Sequence, residues 1–201
     1  MHEFSHAYVA ASLGDRTAHR LGRLSLNPIR HLDPIGSVLF LVAGFGWGKP
    51  VPVNPFYLRI GERLGMAMVS LAGPLSNIIA AAVFGVALRA GVASLTGPES
   101  AIAGFQSSAL IEYALAQLVR WNLILAVFNL IPIAPLDGFK VALGILPRDA
   151  AVVYARTERY GPGILMILIL AGFLFDIYIL SNVIWPVVNL FSQIILGWRL
   201  L

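Results

Sequence analysis

Residues 66–90 read MAMVSLAGPLSNIIAAAVFGVALRA, twenty-five consecutive positions with a single basic residue, Arg89, and no acid. An α-helix needs about 20 apolar residues to cross the hydrocarbon core of a bilayer, so this stretch is long enough to span one. The surrounding chain agrees with that reading. Of 201 residues 58% are hydrophobic and only 12% charged, whereas soluble domains carry about 25% charged residues. The mean hydropathy is +0.81. In lipid every backbone polar group must be satisfied internally, which leaves helices as the economical way to cross. The sequence therefore predicts an all-α membrane protein.

Working outward, residues 109–131 form a second apolar run, ended by Pro132 and Pro135 in NLIPIAPLDG. From Gly163 the chain is apolar almost to its end, and Pro186 is expected to break it, with a crossing up to about Trp185 and an interfacial or continuing helix beyond. Upstream, residues 1–13 read as the second half of a helix that stops at Gly14 and Asp15. Between residues 15 and 63, Pro28, Pro34, Pro50, Pro52 and Pro55 forbid a long helix, while RLSL and KPVPV suit short extended segments. Gly36–Trp47 is apolar but too short to span, which suits a re-entrant or interfacial piece. The expected fold is a transmembrane helical bundle with a short extended or hairpin insertion between its first and second helices. It forms one domain over residues 1–201.

Charge orients this bundle. Loop 15–63 holds seven Lys and Arg, loop 91–108 none, and loop 138–162 four. Short cytoplasmic loops are enriched in these residues, so both basic loops are expected on the cytoplasmic side, with two crossings between them. The same scatter of basic residues, without dense runs, argues against nucleic acid as a partner despite a formal charge of +4. Cysteine is absent. Any transition metal must then be held by imidazole and carboxylate.

Residues 2–6, HEFSH, supply two such imidazoles. His2 and His6, four apart, project from one face of a helix, one turn above the other, as two ligands of a tetrahedral zinc require. Glu3 beside them has the chemistry to take the proton of an attacking water. HExxH also arises by chance, as two surface histidines flanking a glutamate, but ionisable groups in apolar helices usually mark function. A third ligand is sought among Glu112, Asp137 and Asp176. Asp137 follows a helix broken by two prolines and lies, by the charge argument, on the same side as the end of the HEFSH helix. Its plain reading is a turn aspartate in a Pro-Leu-Asp-Gly bend. Glu112 lies near the far end of its helix, and Asp176 midway along an apolar run without a named partner. His19 and His31 read as solvated or locally hydrogen-bonded. Gly73 and Gly85 read as small helix contacts.

Taken together, HEFSHAYVA at 2–10, GRLSLNPIRHLDPIGS at 22–37, GKPVPVNP at 48–55, SLAGPLSN at 70–77 and NLIPIAPLDG at 129–138 resemble the site-2 protease family of intramembrane metalloproteases. Their joint occurrence in this order is far more specific than HExxH alone. The resemblance implies that His2, His6 and Asp137 ligate Zn2+, that Glu3 is the catalytic base, and that Asn129 is a polar helper near the reacting carbonyl. Asn77 matches a family position as well, with interhelical hydrogen bonding as its plain alternative. The implied activity is a zinc metalloendopeptidase that cuts peptide bonds within or near transmembrane segments of membrane proteins, in a multi-pass protein with its site towards the cytoplasm. Its partners would be those substrates and the lipid bilayer. KPVPV could hold an unwound substrate by β-addition. Relatives carry apolar residues ahead of HExxH, so the chain is expected to be truncated at its N-terminus, and no PDZ or CBS module is visible.

Two rivals remain open at this level. A catalytically inactive relative acting as a membrane scaffold would keep the fold without needing Glu3. A transporter would show repeated halves with paired broken helices, and no such repeat is visible.

Overall fold

The computed structural model describes residues 1–43, 48–91 and 103–198. Along them run α1 (His2–Ser12), α2 (Thr17–Arg20), α3 (Pro34–Ala43), α4 (Glu62–Arg89), α5 (Ala103–Asn129), α6 (Asp137–Ile145), α7 (Arg148–Ala155), α8 (Gly161–Phe175) and α9 (Ile179–Leu196). Three helical stretches, Glu62–Arg89, Leu110–Asn129 and Ile179–Leu196, are long and apolar enough to cross a membrane. Helix α4 is the centre of the bundle, touching α1, α5, α6 and α9. Ala81, Val119, Leu123 and Val188 form the core where α4, α5 and α9 meet. A smaller core of Ala10, Leu58 and Val69 ties α1 to α4. The outer faces stay apolar: Val86 is 65% exposed and Ile194 67%. Such surfaces are at home in lipid, which is no less apolar than the side chains themselves.

Contacts at the helix ends fix directions. The backbone of Gly85 lies against Ile195, where an added Cβ would come within 2.2 Å of that side chain, and Arg89 donates to the Ile195 carbonyl at 3.4 Å. The C-terminal ends of α4 and α9 are therefore neighbours, and the two helices run the same way. Pro74 sits inside α4 and Pro186 inside α9, with helix on both sides of each.

The insertion between α1 and α4 contains α2, α3 and two 3-10 turns, Pro28–His31 and Pro55–Tyr57. No strand forms among the described residues. The extended character survives as one antiparallel bridge between Leu32 and Gly48, and residues 44–47, in the segment expected to be re-entrant or interfacial, lie outside the described residues. Helix α3 fills the rest of that segment.

Three expectations change. The terminal apolar run breaks at Asp176, not at Pro186, because Asp176 takes the left-handed conformation (φ 55, ψ 27) that ends α8. Its carboxylate accepts the Tyr178 hydroxyl at 2.8 Å, and asparagine and aspartate are the side chains that best tolerate this region. The third apolar span is thus Ile179–Leu196. Residues 138–162 form α6, α7 and a 3-10 turn at Glu158–Tyr160 where a loop was expected. Helix α5 starts at Ala103, inside the stretch expected to be loop to residue 108.

Candidate metal centre

Helix α1 presents His2 and His6 on the face packed against α4, and the reason is a missing side chain. A Cβ on Gly73 would lie 2.5 Å from His6 Cε1 and 2.6 Å from His2 Cε1. Only glycine leaves room there for both rings, which meet edge to face with centroids 4.6 Å apart. Asp137 arrives from the opposite side as the first residue of α6. Its approach depends on Gly138, whose Cβ would come 2.2 Å from the Leu130 carbonyl oxygen. The break after α5 can therefore fold flat onto the end of that helix.

The result is a convergence of three donor atoms. His2 Nε2 lies 3.1 Å from Asp137 Oδ2, His6 Nε2 3.3 Å from the same oxygen, and the two Nε2 atoms are 3.0 Å apart. Ligands bound at about 2.0–2.2 Å to one tetrahedral zinc are themselves about 3.3 Å apart. The donor set fits such an ion in chemistry and in spacing. Among the described residues this is the one group of three or more metal-binding side chains so arranged.

The outer ring nitrogens are also held. His6 Nδ1 donates to the Val69 carbonyl at 2.7 Å, which leaves the Nε2 lone pair for the centre. His2 Nδ1 is 3.3 Å from the Asn77 carboxamide. An Asn amide presents oxygen or NH2 by a half-turn. As placed, the Asn77 NH2 donates to His2 Nδ1; if His2 gave its Nε2 lone pair to an ion, its proton would move to Nδ1 and the Asn77 amide would turn over to accept it.

A cavity of about 240 Å3 opens on the three donors, with Glu3, Asn129, Lys140, Val51 and Met66 among its lining. Asn129 turns its NH2 back onto the Leu125 carbonyl at 2.9 Å, and among the described residues its oxygen has no hydrogen-bond donor. Asp176 sits at the end of α8, Glu112 is exposed on α5, and His19 is exposed on α2. His31 is spent locally, on the Ser25 carbonyl at 2.7 Å. None of these four joins the cluster.

No family model and no solved structure matches the chain. YwhC of Bacillus subtilis (strain 168), provisionally named a zinc metalloprotease, is 39% identical over 94% of this chain and 81% of its own length. The chain belongs to the YwhC family of metalloproteases. Rip2 of Mycobacterium tuberculosis (strain H37Rv), under the same provisional class name, is 30% identical over 85% of the chain, and the chain spans 62% of it. Rip2 of Mycolicibacterium smegmatis is 28% identical over 85% of the chain, which again spans 62% of it.

For this YwhC-family chain the structure adds positioning groups that sequence reasoning passed over. Gly73 touches the imidazoles, although its spacing in α4 reads as ordinary helix packing. Asp15 reads as a helix stop, yet it is fully buried and accepts from Thr17 N at 2.9 Å and Asn54 N at 2.7 Å. It fastens the end of α1 to the segment whose Val51 and Val53 line the cavity. Arg23 does the same from the other side, donating to the Lys49 carbonyl at 2.6 Å. Tyr154 of α7 donates its hydroxyl to the Pro132 carbonyl and rests its ring on Phe139, centroids 4.8 Å apart, bracing the bend that carries Asp137.

Proposed function

We propose that this protein is a zinc-dependent intramembrane endopeptidase of the site-2 protease type, cutting peptide bonds within or next to transmembrane segments of other membrane proteins. The observation that carries the reading is the convergence of His2, His6 and Asp137 within 3.0–3.3 Å, with Glu3 on the same cavity wall. A zinc ion held by those three residues supplies a Lewis acid for the scissile carbonyl. Glu3 takes the proton of the attacking water and returns it to the leaving amine. Asn129, with its carboxamide on the cavity wall, orients the substrate backbone, and the apolar walls of Val51, Val53 and Met66 accept a side chain from a lipid-embedded segment.

The topology supports the same reading. The polar cavity is lined from α1, α4, the end of α5 and the start of α6, and the basic residues of 15–63 and 138–162 favour a cytoplasmic orientation for it. A helical substrate hides its carbonyls in hydrogen bonds and must unwind before water reaches them. Pro50–Val53, with no helix of its own, lies beside the cavity as a place where an extended strand can rest.

The test pairs metal content with cleavage of tagged single-span membrane proteins. Glu3→Gln should retain one zinc per chain while cleavage falls at least about 100-fold. Asp137→Ala should lose zinc and activity together. Full cleavage by Glu3→Gln would refute the assignment of the base, and full zinc in Asp137→Ala would refute the ligand set.

A further inference from the structure

Serines inside helices often turn the hydroxyl back onto their own backbone. Ser5 donates to the Met1 carbonyl, Ser12 to Val9, Ser76 to Gly73 and Ser192 to Asn189. Ser70 of α4 does not. It is 2% exposed, and among the described residues its hydroxyl has no hydrogen-bond partner. Burying a hydroxyl without a partner is costly. The little of Ser70 that stays open lies on the wall of the cavity that holds His2, His6 and Asp137.

Its place in α4 ties it to the donor cluster. At about 100° per residue, Ser70, Gly73 and Asn77 share one face of the helix. Gly73 lies against both imidazoles, Asn77 meets His2 Nδ1 at 3.3 Å, and Val69, next to Ser70, accepts from His6 Nδ1 at 2.7 Å. Ser70 therefore stands one turn from Gly73, about 4.5 Å along the axis. Hydrogen-bond donors on this wall are few. The carboxylates of Glu3 and Asp137 accept and do not donate, and the Asn129 NH2 is spent on the Leu125 carbonyl. Beyond the two imidazoles, the lining side chains then offer Ser70 and Lys140. Lys140 carries its ammonium on a flexible four-carbon stem, which must be frozen before it can act. Ser70 has a short side chain on a long helix, and so its donor is already in place before a substrate arrives.

We propose that Ser70 is a further catalytic residue, whose hydroxyl donates to the oxygen of the scissile carbonyl as that oxygen gains negative charge. The role rests on the peptidase reading given above. Ser70 forms no covalent bond and keeps its proton. The water oxygen bonds to the carbonyl carbon, one water proton passes through Glu3 to the amide nitrogen, and the carbon–nitrogen bond breaks to leave a carboxylic acid and an amine. A hydrogen bond that strengthens as charge develops lowers the barrier and leaves substrate binding nearly as it was.

Ser70→Ala removes one oxygen and adds no bulk. In nanodiscs, with a tagged single-span membrane protein as substrate, kcat should fall about 100-fold, with KM and zinc content unchanged. A second measurement needs no turnover. A phosphinic peptide presents anionic tetrahedral oxygens where the matching amide peptide has its carbonyl. Compared in Glu3→Gln with and without Ser70→Ala, binding of the phosphinic peptide should weaken about 100-fold and binding of the amide peptide should stay the same. Parental kcat in Ser70→Ala, loss of zinc, or equal weakening of both peptides would each overturn the role of Ser70. A parent chain that holds zinc and cleaves no membrane substrate would instead refute the peptidase reading, and this role with it.

Discussion

Two histidine rings occupy space that any side chain at residue 73 would fill, and this sets the sharpest residue-scale expectation. Gly73→Ala would place a methyl carbon 2.5 Å from His6 Cε1 and Nε2, so both rings must leave the position where their Nε2 atoms meet Asp137. Loss of zinc at least as complete as in Asp137→Ala is expected. Asn77→Ala acts more gently, because it removes only the partner of the outer nitrogen of His2. Partners of that kind are worth about 10–100-fold in metal affinity. Competition titration with a zinc indicator would read both. An unchanged affinity in Gly73→Ala would mean the rings have another place to go. The histidine pair was legible because a four-residue spacing on a helix is a statement about one face. Gly73 was not, because a glycine in a spanning helix reads as packing until the neighbouring helix is known.

At the scale of elements, the segment beside the cavity has almost no secondary structure of its own, so its position depends on a few buried side chains. Asp15 accepts the Asn54 amide at 2.7 Å and Arg23 reaches the Lys49 carbonyl at 2.6 Å. Removing a buried hydrogen-bonding partner costs about 1–3 kcal/mol. Asp15→Ala is expected to raise KM for a membrane substrate more than it lowers kcat, since it loosens the cavity wall and leaves the donors in place. A loss of zinc in that variant would show instead that α1 itself depends on the fastening. Hydropathy and proline content marked off this insertion between α1 and α4 without foretelling its short helices, and the anchors join residues distant in sequence and leave no local pattern. The break at Asp176 was hidden for a related reason. One left-handed residue ends a helix without altering the apolar run around it, and Pro186, the stronger sequence signal, is accommodated within α9.

For the whole molecule, the three spans were readable from length and hydropathy, although the third lies further along the chain than expected. Which side each loop faces rests on charge. The seven basic residues in 15–63 against none in 91–108 predict that cysteines placed at Ser25 and Ser94 react with an impermeant probe from opposite sides of sealed vesicles. Labelling of both from one side would reverse or abolish that arrangement. Residues 138–162 form short helices rather than a loop, since basic residues on short helices look like a basic loop when only charge is counted.

His6 and Asp137 stand on the order of 130 residues apart in the chain, so an ion shared between them closes a ring of polypeptide that contains the insertion, α4 and α5. Closing a loop of about a hundred residues by a covalent link is worth roughly 4–5 kcal/mol through the entropy it removes from the unfolded chain. An ion that binds only the folded form acts through the same balance, adding stability with the logarithm of its free concentration. The centre would then be a fastener as well as a reagent. Chelation is expected to lower Tm, and to speed tryptic cleavage first at Arg23, which is buried in the folded chain, because the helix it follows is the one released. Identical melting and identical digestion with and without chelator would show that α1 is held by packing alone.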